Sequence, residues 1–154
     1  MTDAVTAVSF HTGVQEPVVH AVKLVRKALA QDLRVCVTGP SPWIGTLDEA
    51  LWTMDPGSFL AHARLDAQTP PEVIRRSPVV LVDESAQSIT QPLQGRDVLI
   101  RLSGAAVGEA TSVQGKIIEI VGASPDQRLQ GQARWRWYRE RGIVPSHHDV
   151  SAPA

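Results

Sequence analysis

The chain contains only one cysteine, Cys36, among its 154 residues. An intrachain disulfide is therefore excluded, and a metal site built on several thiolates is disfavoured. A single cysteine also fits a reducing compartment. The chain lacks an apolar run long enough to cross a membrane, and its first residues lack the basic and then apolar order of a signal peptide. We therefore expect a cytoplasmic protein that makes no contact with a membrane.

The chain has no large excess of charge of either sign. It carries 15 Lys and Arg residues against 16 Asp and Glu residues, a formal charge of −1. No global basic field draws the whole molecule to nucleic acid or to anionic lipid, so any such attraction must be local. The length allows one domain with a substantial core. We place that domain at residues 1–145, followed by a polar tail at 146–154.

Recognisable catalytic and cofactor motifs are also missing. The segment 38–45, TGPSPWIG, lies between a predicted strand and a predicted helix, where a phosphate loop would lie. It has neither the Lys-Ser/Thr of a P-loop nor the glycine spacing of a dinucleotide fingerprint, and its two prolines remove N–H donors. His147, His148 and Asp149 are possible metal ligands, but a polar tail gives them no rigid frame. We predict no cofactor, no metal and no enzymatic activity.

Apolar and β-branched segments alternate with helical patterns along the chain. The predicted strands are residues 4–10, 33–38, 78–82, 97–102 and 116–121. The predicted helices begin at Pro17, between Pro42 and Thr46, and at Ser124, whereas the polar segment 64–76 is predicted to be a surface loop. This alternation indicates an α/β domain, a single three-layer Rossmann-like fold with a mostly parallel central sheet. Residues 33–38, 79–82 and 98–102 are its predicted central strands.

Two of the helices carry capping signals. Ser124 is a predicted N-cap with Pro125 at the first helical position, and this helix is predicted to run to about 141 and stop at Gly142. Thr46 with Glu49 three residues later has the capping-box pattern for the helix that contains Trp52. Trp52 lies off the apolar stripe of its helix. It either packs half-buried against a neighbour or serves as an anchor for a partner.

The last helix combines aromatic and basic residues. Residues 132–141 hold four Arg, one Glu and three aromatics, a local charge of +3. One exposed stripe is predicted to contain Arg128, Gln132, Trp135 and Arg139, with Arg136 at its edge, and the stripe of Leu129, Ala133 and Trp137 is predicted to face the core. The aromatics either pack down while the Arg residues are solvated, or the face binds anions. Single-stranded nucleic acid and an acidic peptide with an aromatic end both fit such a face.

Three segments together carry a family resemblance. The block 47–52, LDEALW, the following 58–62, SFLAH, and the Arg-rich aromatic helix ending at Gly142 resemble the chi subunit of the bacterial DNA polymerase III holoenzyme over roughly residues 6 to 145. The resemblance implies a Rossmann-like accessory subunit of the clamp-loader assembly that is not an enzyme and binds no nucleotide. It also implies a link, through a psi subunit, between the clamp loader and the single-stranded-DNA-binding protein, whose acidic C-terminal tail ends in phenylalanine.

The same resemblance implies two sets of site residues. The site for the tail would comprise Trp52, Val121, Arg128, Trp135 and Arg136, with Arg139 in place of a basic residue where this chain has Gln132. The ring of the terminal Phe is expected near Trp52 and Val121. The site for a psi-like partner would comprise Phe59, Leu60 and His62, although Phe59 could instead close the edge of the sheet. DNA is then an indirect partner, and the alternative is a module that binds single-stranded nucleic acid directly through the last helix.

Overall fold

The computed structural model describes residues 7–53, 62–64, 71–83, 96–102 and 115–151. Strands and helices alternate through most of these residues. In chain order they are β1 (Ala7–Val14), α1 (Pro17–Ala30), β2 (Val35–Gly39), α2 (Ser41–Thr53), β3 (His62–Arg64), α3 (Pro71–Arg76), β4 (Val79–Asp83), β5 (Val98–Arg101), β6 (Lys116–Gly122), α4 (Pro125–Glu140) and β7 (Ser146–Asp149). None of these described helices has both the length and the apolar character needed to cross a membrane.

The seven strands form one sheet in the order β3-β4-β2-β5-β6-β1-β7. All six neighbouring pairs run parallel. Parallel neighbours require crossover connections, which explains why helical and extended segments alternate in the sequence. The predicted α/β fold with a mostly parallel sheet is therefore confirmed. The three strands predicted at the centre are indeed neighbours inside the sheet, with β2 between β4 and β5.

Each face of the sheet has its own hydrophobic core, because successive side chains of a strand point to opposite faces. Val35 and Val37 of β2 belong to the core beneath α1 and α2, whereas Cys36 belongs to the core on the other face, which α4 covers through Tyr138. Helices on both faces of the sheet give the three predicted layers. Burial raises the pKa of the Cys36 thiol to about 12, so the thiol stays protonated at neutral pH.

Several predicted boundaries are wrong. The segment 64–76, predicted to be a loop, contains the end of β3 and all of α3. β1 continues past residue 10 to Val14, and residues 146–149, which the sequence assigns to a tail, form the edge strand β7 beside β1. The reason is common to β3 and β7. Both are short strands at an edge of the sheet, where polar side chains are tolerated, so neither has the apolar pattern that identifies a strand.

The two predicted helix caps have different outcomes. Ser124 is the N-cap of α4, with its hydroxyl accepting a hydrogen bond from the Gln127 N–H (3.3 Å), and Gly142 follows the end of the helix at φ +80°. The capping box at Thr46 is wrong because α2 already begins at Ser41. Thr46 therefore lies inside the helix, and its hydroxyl donates to the carbonyl of Pro42 (3.0 Å).

Candidate functional site

The position of α4 depends on a carboxylate inside the sheet. Glu119 of β6 is completely buried, on the face of the sheet that α4 covers. Burial of an ionised carboxylate is costly unless it is paired and hydrogen-bonded. Arg134 Nε donates to Glu119 Oε1 at 2.8 Å, and the Tyr138 hydroxyl donates to Oε2 at 2.7 Å. Arg101 Nε of β5 lies 3.4 Å from Oε1. These four side chains, here called the Glu119 network, fix the rotation of α4 about its axis.

The Tyr138 phenol is locked in its protonated form. Burial, followed by the charge and the hydrogen bond of Glu119, raises the pKa of Tyr138 well above its usual value. A protonated phenol remains a donor to the Glu119 carboxylate at any physiological pH. The Tyr138 hydroxyl therefore stays available as a donor to β6 near neutral pH.

The predicted core stripe of α4 is wrong. Leu129 is 64% exposed, Ala133 is exposed and Trp137 is only half-buried. The residues that α4 buries are Gly131, Arg134 and Tyr138. The cause is the Glu119 network, since two polar partners of a buried carboxylate decide which side of the helix faces the sheet. Apolar periodicity in α4 therefore pointed to the wrong side.

A groove of about 740 Å³ lies between α4 and the ends of β1, β6 and β7. We call it the α4 groove; its lining includes Phe10, Thr12, Val121, Arg128, Gln132, Trp135, Arg136, His147 and Asp149. It lies at the carboxyl ends of parallel strands, where α/β sheets commonly bind ligands. Four of the six residues predicted for the tail site line it together, namely Val121, Arg128, Trp135 and Arg136.

The floor of the α4 groove is apolar. Phe10 and Trp135 meet edge to face, with ring centroids 5.1 Å apart. Val121 lies directly beneath Gly131, where an added Cβ would be 2.8 Å from both Val121 methyl groups. Only glycine allows α4 to approach β6 this closely. The half-buried Trp135 ring and the Val121 side chain thus offer a surface on which an apolar ligand group can pack.

The cations of the groove are fewer than the sequence suggests. Arg128 and Arg136 line the groove and are exposed. The charge of Arg134 is paired with Glu119 in the core, and Arg141 lies over the Trp137 ring at 3.8 Å. Arg139, predicted as a substitute at the Gln132 position, is exposed and does not line the groove. Among the described residues, the guanidinium groups of Arg128 and Arg136 therefore form the basic wall.

Trp52 lies far from the α4 groove, which corrects the prediction that it joins Trp135 in one pocket. Trp52 packs against His62 of β3 with ring centroids 4.6 Å apart, and His62 Nε2 lies 2.7 Å from Asp48 Oδ1 of α2. Four strand spacings separate β3 from β6, about 20 Å at about 4.8 Å each. α2 also covers the face opposite to α4. Trp52, 53% exposed, belongs to a separate surface, here called the β3 edge.

Of the three residues predicted to contact a psi-like partner, the structure describes only His62, at the β3 edge. Phe59 and Leu60 lie outside the described residues. The side chain of His62 is only 1% exposed, lies 2.7 Å from Asp48 Oδ1 and packs against Trp52. Little of this side chain is open to direct contact, and its role at a partner interface stays a prediction. His62 positions the exposed ring of Trp52.

Sequence reasoning missed the Glu119 network and the whole β7 wall. The signal for the first was present, because a Glu in the middle of the apolar strand 116–121 requires buried partners, and Arg134 and Tyr138 are spaced one helical turn apart. The signal for β7 was absent, since the four exposed residues 146–149 have no apolar face. Among the described residues, no group of three His, Cys, Asp or Glu side chains is arranged to hold a metal.

Comparison with solved structures defines the class of fold. The structure is similar to the crystal structure of the C-terminal part of the Fun30 ATPase domain (TM-score 0.52, 13% identity), over 75% of this chain and 44% of that chain. It is similar to the Pyrococcus furiosus Hef helicase domain (TM-score 0.52, 13% identity), over 97% of this chain and 36% of that one. The chain spans less than half of either structure, and at this identity the likeness shows only a shared α/β fold.

A family model then identifies the chain more closely. The model of the DNA polymerase III chi subunit, HolC, matches residues 5–146. The chain therefore belongs to the DNA polymerase III chi subunit family, whose members are accessory subunits of that polymerase. The resemblance stated from the sequence is confirmed. A search of curated proteins finds no match.

Proposed function

We propose that this chain is a non-catalytic adaptor of the replisome that holds the acidic C-terminal tail of single-stranded-DNA-binding protein in the α4 groove. The observation that carries the proposal is the juxtaposition of Arg128 and Arg136 with an apolar floor of Val121 and Trp135 in one groove. Arg guanidinium groups bind carboxylates in a planar, bidentate geometry. The apolar floor supports an aromatic ring beside them.

The size of the groove supports a short peptide rather than a folded partner. About 740 Å³ falls within the range of roughly 300–1,000 Å³ typical of sites that enclose small ligands. A terminal Phe with its carboxylate and the preceding acidic residues offers both chemistries that the groove contains. Direct binding of single-stranded nucleic acid has less support, because Arg134 is buried and Trp135 is packed against Phe10 rather than presented as an open stacking platform.

Calorimetric titration with a synthetic acidic peptide ending in Phe tests the proposal. We expect binding at low salt that weakens as salt is added, since exposed charge contacts are screened. Amidation of the terminal carboxylate and the substitution Arg128→Ala should each lower the affinity by about tenfold or more, because each removes a charged hydrogen-bond partner worth about 1.5–3 kcal/mol. The matched control is Arg139→Ala, which removes the same charge from the same helix outside the groove.

An oligonucleotide serves as the competing ligand in that titration. A single-stranded oligonucleotide that binds more tightly than the peptide, and loses affinity in Arg128→Ala, would favour the nucleic-acid alternative. Equal losses of peptide affinity in Arg128→Ala and Arg139→Ala would show that general charge, rather than the groove, attracts the peptide.

We also propose that the β3 edge binds a second replisome partner, a psi-like subunit or its equivalent in the clamp loader. The supporting observation is Trp52, which is 53% exposed and packs against His62, whose Nε2 lies 2.7 Å from Asp48 Oδ1. Exposed, rigid tryptophans are frequent anchors at protein interfaces. Phe59 and Leu60 are separated from β3 by one residue, Ala61, and are proposed to contribute to the same surface.

Affinity capture with tagged protein tests this second surface. Trp52→Ala and Phe59→Ala are expected to lose the clamp-loader partner while tail-peptide affinity stays within about twofold, as expected for sites far enough apart to act independently. Retention of the partner by both variants would place its binding site elsewhere. Loss of peptide binding in Trp52→Ala would contradict the separation of the two surfaces.

A further inference from the structure

One side of the α4 groove is formed by β7, and the two faces of this strand have different roles. Side chains alternate across a strand. His148 packs against His11, with ring centroids 5.4 Å apart, and Nδ1 of His11 lies 2.8 Å from Nε2 of His20 in α1. His147 points to the opposite side and lines the groove. One imidazole of β7 therefore attaches the strand to the fold, whereas the neighbouring imidazole faces the groove.

Two neighbours orient the ring of His147. Its Nε2 lies 2.7 Å from Oγ1 of Thr12 in β1. The ring also meets the ring of Trp135 at an angle of 76°, with centroids 6.3 Å apart. Because Trp135 belongs to α4, this contact connects the two sides of the groove. An apolar group that packs on Trp135 therefore lies beside the imidazole.

The bond to Thr12 leaves one nitrogen of the His147 ring for a ligand. Among the residues that the structure describes, Nδ1 has no hydrogen-bond partner. A neutral imidazole has one donor and one acceptor nitrogen, and a Thr hydroxyl can pair with either because it rotates. When the Thr12 hydroxyl donates to Nε2, Nδ1 carries the proton and is itself a donor. An anion beside Nδ1 favours this tautomer, because the alternative would present a lone pair to a negative charge.

We propose that His147 is a ligand-binding residue of the α4 groove, whose Nδ1 donates a hydrogen bond to a carboxylate of the bound peptide. The inference rests on the proposed function of the groove, because it names a further residue for the same acidic ligand. Arg128 and Arg136 contact the peptide from α4, and His147 contacts it from β7. Donors on both sides of the apolar floor hold an acidic chain end in one orientation, which a single basic wall does not.

A histidine in this role makes the affinity depend on pH. A second proton turns the imidazole into a cation, and its bond to a carboxylate becomes charge-assisted. The charged residues that line the groove with His147 are Arg128 and Arg136 on α4 and Asp149 on β7, whereas the lining residues of β1 and β6 are uncharged. Arginine and carboxyl groups ordinarily titrate outside the interval from pH 8 to pH 6. The affinity for an acidic peptide should therefore rise as the pH falls through this interval.

Calorimetric titration with the acidic peptide ending in Phe, at pH 8 and at pH 6, tests the proposal. We expect the wild-type protein to bind about threefold more tightly at pH 6 than at pH 8. The variant His147→Gln keeps an amide donor but takes up no proton, so its affinity should be equal at the two pH values. The variant His147→Phe keeps an aromatic ring beside Trp135 without a donor, and should bind about fivefold more weakly than the wild type at pH 6.

A matched control and a second readout accompany these variants. The substitution His148→Gln removes an imidazole from the adjacent position of the same strand, on the face away from the groove, and should keep the pH dependence of the wild type. Thermal unfolding midpoints check that the variants remain folded. Nitrogen-15 NMR of the wild-type complex needs no substitution, and we expect it to show a proton on Nδ1 of His147.

The outcomes separate this inference from the function on which it rests. If the wild-type protein binds the peptide equally at both pH values, if His147→Phe binds as tightly as the wild type, or if Nδ1 carries no proton in the complex, His147 does not make this bond. The groove would still bind the peptide as long as Arg128→Ala weakens it. Loss of the pH dependence in His148→Gln would assign that dependence to the attachment of β7 and would also overturn the inference. If the wild-type protein binds no peptide at either pH, the proposed function and this inference both fail.

Discussion

The two edges of the sheet carry tryptophan surfaces that are built in different ways. At the β7 edge, Trp135 is half-buried against Phe10 and lines a groove with charged walls. At the β3 edge, Trp52 is 53% exposed and packs on His62, which Asp48 holds from behind. The first arrangement suits a chain end that enters a groove. The second suits a partner that brings its own pocket for a protruding ring.

The two surfaces also depend on the core to different degrees. The rotation of α4, and with it the position of every residue on the basic wall, is set by the buried Glu119 network. Trp52, at the end of α2, packs against the imidazole of His62 in β3. A change in the core is therefore expected to disturb the α4 groove, whereas a change beside Trp52 is expected to remain local.

The largest effect is expected in the core beneath the groove. Arg134→Met leaves the buried Glu119 carboxylate with Arg101 and Tyr138 as neighbours. Removal of one partner of a buried ion pair costs about 3–5 kcal/mol, and the proximity of Arg101 places our expectation at about 3 kcal/mol. For a chain of this size, that corresponds to a drop in Tm of about 6–12 °C. Urea unfolding measures the decrease in the free energy of unfolding.

Two controls make this prediction specific. Arg139→Met is the same substitution at an exposed position of the same helix and should change stability by no more than about 0.5 kcal/mol. The double variant Glu119→Gln with Arg134→Met should recover part of the loss, because a neutral amide then takes the place of the carboxylate that has lost Arg134. An Arg134→Met protein as stable as the wild type would contradict the role of the Glu119 network.

The second test compares alanine substitutions of the two tryptophans. Trp135→Ala removes the floor of the groove and is expected to reduce tail-peptide affinity by about thirtyfold, the size of a binding hot spot of about 2 kcal/mol. Trp52→Ala should leave peptide affinity within about twofold. Calorimetry with the acidic peptide measures both. Equal losses in the two variants would mean that the tryptophans serve one site, as the sequence predicted.

The fold could be predicted because its interior strands consist mainly of apolar residues. β2, β4 and β5 are covered on both faces, so their runs of Val, Leu and Ile identify them without any knowledge of neighbours. β3 and β7 could not be predicted in the same way. Their side chains find partners across the fold, as His147 does with Thr12, and such contacts leave no periodic pattern in a four-residue segment.

The groove was predictable in part. Arg128, Trp135 and Arg136 lie within two turns of one helix, so correct helix limits alone bring them to one side. The predicted placement of Trp52 was wrong because the position of its helix in the fold depends on strand order. α2 lies beside the β3 end of the sheet, whereas α4 lies beside the β1 and β7 end. Local sequence does not contain that information. Asp149 was missed for the related reason that its strand was taken for a tail.

A smaller effect on stability is expected when the pH is lowered, on the face of β7 that points away from the groove. His11 lies against His20 and Lys27 of α1, His148 of β7 and Lys116 of β6, and burial together with these neighbours lowers the pKa of His11 to about 4. In the unfolded chain a histidine titrates near pH 6.5. Between pH 6.5 and 4 the unfolded state therefore binds more protons, and stability falls as the pH falls. Because His11 is only half-buried, we expect a loss of about 1–2 kcal/mol.

The variant His11→Asn tests the origin of that loss. Asn keeps a polar group opposite His20 but cannot take up a proton in this range. Urea unfolding at several pH values should show a shallower decline of stability for the variant than for the wild type between pH 6.5 and 4. Parallel declines would assign the pH dependence to other groups, and the attachment of β7 would then not depend on the protonation of His11.

The smallest effects compare the two residues predicted as N-caps of the helices that carry the tryptophans. Ser124→Ala removes the hydroxyl that accepts from Gln127 N–H at the start of α4 and should cost about 1 kcal/mol. Thr46→Ala should change stability by no more than about 0.5 kcal/mol, because Thr46 lies inside α2 and Ala has the higher helix propensity. Chemical unfolding of both variants under identical conditions measures the difference. A loss at Thr46 as large as that at Ser124 would mean that α2 begins at Thr46, and the turn that precedes it would not be helical.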